Sequence, residues 1–452
     1  MTKEPFREIE TISLLNDLMN SKGVTSLYVK KLAPNDNSKN QIYIGGNFDV
    51  LNIIPFGDVS TDKSRKDSKR DRYKAPLNFS WVDNSGNLYE AADAQLILYP
   101  KYPEVRVSGF LKGCQEAPSE AMANRYEGRL LFLGITDAGK IIGHATLPDN
   151  PISKELDALT DLEEEGVFLK LPLHEGDTAY ANRQKLINDL RNIHLEGWID
   201  SVKLCKDGSL APCRSSNCGG YTLEALLGIT PNGYAEPDYL GWELKQHGVR
   251  SLDKPHSGGA ITLMTPEPTG GVYKNDGSET FIRRFGYPDK NGVPDRLNFG
   301  GIYKADKYTE ITELTLQLSG YDSENKKIED INGGITLVTD EGEEAAIWHY
   351  SGILEHWNRK HAQAAYIPSS CIKEPTRQYK YGNLIELGTG TNFSKFLEAV
   401  SIGSVYLGPA LKLEHASSDT PKKKCRNQFR IRPKELSSLY KEFETVDLME
   451  SS

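Results

Sequence analysis

Residues 219–245, GGYTLEALLGITPNGYAEPDYLGWELK, limit how this chain can fold more than any other stretch. Leu223, Leu226 and Leu227 recur at helical spacing, Thr222 can cap the helix, and Gly228 can end it. Pro237-Asp238 then demands an extended or turning backbone. The apolar Tyr239, Leu240 and Trp242 lead into Glu243-Leu244-Lys245, which reads as a short strand. Alternate side chains of a strand share a face. Glu243 and Lys245 would therefore point one way and Leu244 into the core, with the turn bringing Asp238 beside Glu243.

That arrangement has a specific chemistry. The carboxylates of Asp238 and Glu243 and the carbonyl of Leu244 are oxygen ligands suited to a hard cation such as Mg2+. A bound metal lowers the pKa of its water and neutralises charge on a phosphodiester. Lys245 would orient that water and stabilise developing negative charge. Glu224, at the edge of the helical face, would complete the shell or hold a ligand in place, and Glu236 reads as a solvated turn residue. Taken alone, an Asp followed at a distance by Glu-x-Lys also fits an ordinary strand with a solvated Glu–Lys face.

The full segment resembles the signature of the MvaI/BcnI restriction endonucleases, a branch of the PD-(D/E)XK nuclease superfamily. In that family a Gly-x-x-Leu-Glu helix precedes a Pro-Asp turn and a Glu-x-Lys strand. The resemblance implies Glu224, Asp238, Glu243 and Lys245 as the catalytic set, with Mg2+ as cofactor. It continues through GGAITLMTPEPTGG, FIRRFGY at 281–287 and LEHWNRKHAQAAYI at 354–367. It ends in the basic block KKKCRNQFRIRPKELSSLY, built around Phe429-Arg430. There the small residues expected before the Phe-Arg pair are replaced by Asn427-Gln428. The likeness covers about residues 180–440 and implies DNA contacts from Arg426 and Arg430.

Residues 1–175 read differently from 176–452. SLYVKKL, NQIYIGG, AQLILYP, EVRVSGF, RLLFLGI, KIIGHATL and GVFLKLPL are short apolar runs separated by turn signals, the pattern of a barrel or sandwich. ISKELDALTDLEE reads as a helix, HEGDTA at 174–179 as a boundary, and about 180–195 as a helix through Leu186, Ile187, Leu190 and Ile193. YVKKLAPNDNSKNQIYI at 28–44 resembles the EcoRII-type effector domain, a B3-like β-pseudobarrel that grips the major groove with two arms. Carried over, the first arm is Asn35 to Tyr43, with Ser38, Lys39 and Asn40 near its tip. The second is Lys101, Tyr102, Glu104 and Arg106, and Lys30 or Lys31 would hold phosphate. Arg106 would pair with guanine and Glu104 with cytosine N4. The implied fold is α+β in two domains: a B3-like pseudobarrel and a PD-(D/E)XK fold around a central mixed sheet.

Composition sets the outer limits. The 452 residues suffice for two or three domains with sizeable cores. A net charge of −9 hides local basic runs, which are what a DNA binder needs. Lys422 to Lys434 holds seven basic and no acidic residues, and Lys63 to Lys74 seven basic and two acidic. Glu155 to Glu165 is acidic and reads as a solvated helix face. The absence of a long apolar run and of an apolar leader near MTKEPFREIETISLL points to a cytoplasmic protein without membrane contact. The six cysteines lack zinc-site spacing and read as reduced structural thiols. GITDAGKI at 134–141 lacks the Ser or Thr of a P-loop and joins two strand-like runs, so it reads as a hairpin turn.

The expectation is a monomeric Type II restriction endonuclease that nicks the two strands of double-stranded DNA in turn, with CCWGG (W is A or T) as its target. A restriction enzyme also implies a partner methyltransferase in the host. Two alternatives stay open: a DNA-binding regulator with an inert nuclease half, and a repair nickase of the same superfamily.

Overall fold

The computed structural model describes residues 9–450, apart from 40, 47–49, 52, 62–71, 100–103, 137, 161, 174–177, 216, 231–236 and 361–362. The chain divides into two compact units, Met1–Tyr180 with Lys327–Glu329, and Ala181–Lys326 with Asp330–Ser452. Among the described residues no helix is long and apolar enough to cross a membrane.

In the first unit all seven apolar runs form strands. Val24–Lys31 lies between Phe168–Leu171 and Leu130–Thr136, and Ile141–Thr146 continues the sheet to Phe79–Val82. The last pair is parallel and the others antiparallel. A second sheet runs Ile42–Gly45, Glu104–Ser108, Gln95–Tyr99, Tyr73–Pro76, Ser60–Thr61. Leu130–Thr136 and Ile141–Thr146 are antiparallel neighbours with Gly139 at φ 71°, so GITDAGKI closes a hairpin and is no phosphate loop. Phe79–Val82 was not evident from pattern because all four residues are buried and nothing alternates. The acidic run also differs from expectation. Its helix ends at Ala158, and Glu164–Glu165 pairs with the 168–171 strand. Glu155 accepts a hydrogen bond from the Ile12 amide (2.7 Å), at the start of the Ile12–Asn20 helix that Thr11 caps. A carboxylate at a helix N-terminus meets unpaired N–H groups and the positive end of the dipole.

The second unit is built on a mixed sheet. Gln363–Ile372 runs through it, parallel to Glu243–Gly248 and antiparallel to Leu384–Thr389, which pairs in turn with Glu442–Asp447. Leu244, Ala365 and Leu387 lie in register on one face. They join Leu186, Ile187, Leu190 and Ile193 of the Thr178–Leu195 helix in one apolar core. Lys245, Tyr366 and Glu386 are in register on the opposite face. Both structures belong to the α+β class. Cys213 and Cys218, whose Cα atoms lie 5.6 Å apart, form a disulfide, contrary to the expectation of reduced thiols.

Candidate active site

A tight turn assembles the centre of the site. Tyr239 and Trp242 exchange backbone hydrogen bonds (3.0 and 2.8 Å), with Leu240 at φ 50° and Gly241 at φ 83°. Two successive positive φ values give the backbone twist of a two-residue hairpin. The chain therefore doubles back, and the Leu244 amide donates to Asp238 Oδ2 at 3.0 Å. In an extended strand the N–H and C=O of one residue leave the same edge. The Leu244 carbonyl thus faces the side occupied by Asp238 rather than the neighbouring 363–372 strand.

Strand alternation does the rest. Leu244 is buried in the core, while Glu243 and Lys245 share the other face and form an ion pair. The Glu243 side chain is 1% exposed and that of Lys245 is 15% exposed. Lys245 lines an open cleft of about 690 Å³ together with Thr262, Glu267, Arg426 and Gln428. The donor set of two carboxylates and a backbone carbonyl fits a hard divalent ion. Among the described residues no three acidic, His or Cys side chains converge on one point.

Glu224 lies on the Cys218–Leu226 helix, which begins a turn earlier than expected. Thr222 is therefore no cap. It is buried mid-helix, where its hydroxyl accepts from Val202 N and donates to Val202 O, both at 3.1 Å. Gly228, at φ 74°, does follow the helix end. Gly219 lets the helix approach the 243–248 strand, since a Cβ there would sit 2.4 Å from Gln246 Oε1. Glu236 lies outside the described residues. His247 is buried with its Nε2 3.1 Å from Pro255 O, and desolvation pushes its ring below the usual histidine range.

Of the basic block, Arg426 is exposed in the cleft, and Arg430 lies opposite Thr262 with its Nη2 donating to Ala260 O at 2.9 Å. Lysines 422–424 form an exposed strand.

In the first unit, Tyr43 pairs directly with Arg106 across neighbouring strands, so these residues of the two expected arms meet. Arg106 Nε donates to Glu104 Oε1 at 2.8 Å. Asn35, Ser38 and Lys39 are exposed. Asn40, Lys101 and Tyr102 lie outside the described residues, as does most of the 63–74 run. Lys30 is a correction. Its amine is buried against Asp36 at 2.6 Å, so it is not on the surface to hold phosphate. Asp36 draws it in, and also accepts from the amides of Ala33 (3.2 Å) and Tyr43 (2.9 Å), pinning the base of the arm. Lys31, its neighbour, is exposed and paired with Asp157.

Two solved structures are similar to part of the chain. One is the restriction endonuclease MvaI with its cognate DNA substrate, 18% identical, TM-score 0.43, covering 58% of this chain and 97% of that one. The other is MvaI without DNA, 15% identical, TM-score 0.33, covering 59% and 97%. No curated protein matches the chain. The model of the MvaI/BcnI restriction endonuclease family matches residues 187–440, more than half of the length. The turn, the acid–lysine strand and the cleft all fall within that match, and the chain belongs to the MvaI/BcnI restriction endonuclease family of Type II site-specific endonucleases.

Proposed function

We propose that Asp238, Glu243, Lys245 and Glu224 form the catalytic set of a PD-(D/E)XK nuclease. Asp238, Glu243 and the Leu244 carbonyl would hold Mg2+, which activates water and offsets phosphate charge when bound. Lys245 holds the attacking water and stabilises the charge that develops on the phosphate. Glu224 steadies this arrangement from the neighbouring helix. The observation that carries the reading is the joint position of Lys245 and Arg426 on one open cleft, with the Asp238–Leu244 bond beside it. Arg426 and Arg430 supply contacts to the duplex.

The substrate is double-stranded DNA containing CCWGG. One active-site set per chain favours a monomer that nicks the two strands in turn, and a host methyltransferase protects the same site. We assign residues 1–175 to a B3-like effector domain and 176–452 to the nuclease, an arrangement resembling UbaLAI. The facing positions of Tyr43 and Arg106, with Glu104 beside them, support a base-reading surface built from both arms. Asn35, Ser38, Lys39 and Asn40 of the first arm and Lys101 and Tyr102 of the second complete it. Holding a second copy of the site there raises the effective concentration of nuclease near the first.

Digestion of a defined plasmid with Mg2+, followed by sequencing of the ends, tests the reading. The wild type should cut both strands, and Lys245→Ala should bind without cutting. Failure of the wild type to cut would favour the inert regulator, and single-strand nicks alone would favour a repair nickase. A plasmid with two sites should be cut faster than one with a single site, and equal rates would remove the effector role.

A further inference from the structure

We infer that Glu267 reads a base: its carboxylate accepts a hydrogen bond from the exocyclic amine of a cytosine held in the cleft. The inference rests on the cleft being the DNA site proposed above. Glu267 is exposed and lines the cleft that Lys245 and Arg426 also line. A carboxylate on such a wall repels the phosphate backbone, so it is favourable there only when it meets a donor.

The carboxylate is also held in place. Its Oε2 accepts from the Tyr273 hydroxyl at 2.5 Å and from Asn427 Nδ2 at 3.4 Å. Asn427 Nδ2 also reaches the Tyr273 oxygen at 3.3 Å, and both braces are buried. Burial and the carboxylate push the Tyr273 phenol upward, which keeps it protonated and donating. The backbone on either side is pinned. Trp348 Nε1 donates to Pro266 O at 2.9 Å, and the amides of Thr269 and Gly270 donate to Ile347 O at 2.7 and 3.1 Å. Asn427, one of the two residues that replace the expected small pair, is thus a brace for this acid.

With Oε2 engaged, Oε1 is left as a fixed acceptor, with no protein hydrogen bond among the described residues. The major-groove edge of cytosine offers one donor, N4. Adenine sets its N6 donor beside the N7 acceptor, which repels a carboxylate. On the same major-groove edge guanine offers acceptors only, and thymine an acceptor and a methyl group. A single oriented acceptor therefore selects cytosine.

The test measures binding in the Lys245→Ala background, so that cleavage plays no part. A preferred duplex is selected from a randomised pool. Its cytosines are then replaced one at a time by 2-pyrimidinone, which lacks the exocyclic amine. At one position this loss should weaken binding about tenfold or more, within the range of base discrimination by a good contact. Adding Glu267→Ala, which removes the acceptor, should abolish the difference at that position alone, and Tyr273→Phe, which keeps the ring and frees the acid, should reduce it. The inference is overturned if Glu267→Ala leaves sensitivity unchanged at every cytosine, or if only removal of an adenine amine is affected. Selective binding that ignores Glu267 overturns this inference and spares the cleavage reading. Absence of any DNA binding overturns both.

Discussion

Lys245 and Glu243 form an unequal pair, and the inequality predicts an order of stabilities. The Glu243 side chain is 1% exposed, whereas Lys245, at 15%, opens on the cleft. Lys245→Met removes the cation from a buried carboxylate, a change that costs about 3–5 kcal/mol when a buried pair is broken. Glu243→Gln leaves a neutral amide of the same shape and an ammonium that cleft water can solvate. Its cost should be nearer to about 1.5–3 kcal/mol, the scale of one lost charged hydrogen bond. The double variant should be no less stable than Glu243→Gln alone, giving a coupling at least as large as the Lys245→Met cost, about 3–5 kcal/mol. At about 2–4 °C per kcal/mol, Lys245→Met should unfold roughly 6–20 °C below wild type and Glu243→Gln roughly 3–12 °C below. Thermal unfolding with a chelator present measures this directly. Added Mg2+ should narrow the Lys245→Met deficit, because an ion bound only by the folded state stabilises it. The reasoning is refuted if Glu243→Gln costs as much as Lys245→Met, or if the two costs simply add.

In the first unit, Asp36→Ala should cost about 3–5 kcal/mol, because it leaves the Lys30 ammonium buried without its carboxylate. Hydrogen exchange of the 24–31 strand would show the loss, and unchanged protection would refute it. His144 is buried beside Val82 O, and desolvation lowers its pKa below that of the unfolded chain. The folded state therefore resists protonation. Its stability is intact above about pH 6.5 and falls by up to about 1.4 kcal/mol per pH unit below that. Exchange in the 141–146 strand, corrected for intrinsic rates, should report this fall, and His144→Gln should flatten it.

Local chemistry made part of the site legible. The two-residue period of Glu243-Leu244-Lys245 placed one side chain in the core and two on the opposite face, whereas the turn itself falls at Leu240-Gly241, which read only as part of the approach to the strand. Apolar runs likewise marked seven strands of the first unit. Where the pattern was silent or ambiguous, expectation failed. Thr222 looked like a cap because Ser, Thr and Asp favour helix starts, yet the helix begins at Cys218. Lys30 looked like a surface cation, and nothing in its neighbours announced that Asp36 would fold back six residues to bury it.

Residue order and periodicity thus dictated which face Glu243 and Lys245 take and which Leu244 takes, since both depend on neighbours within a few positions. The cleft was beyond their reach. Lys245, Glu267 and Arg426 come from segments far apart in sequence, and long-range pairing, such as Thr262 against Arg430, sets their places. Glu267 shows the difference most plainly. As one acid in a Pro-flanked loop it carries no pattern, and it acquires an orientation only when buried Tyr273 and Asn427 close on one of its oxygens.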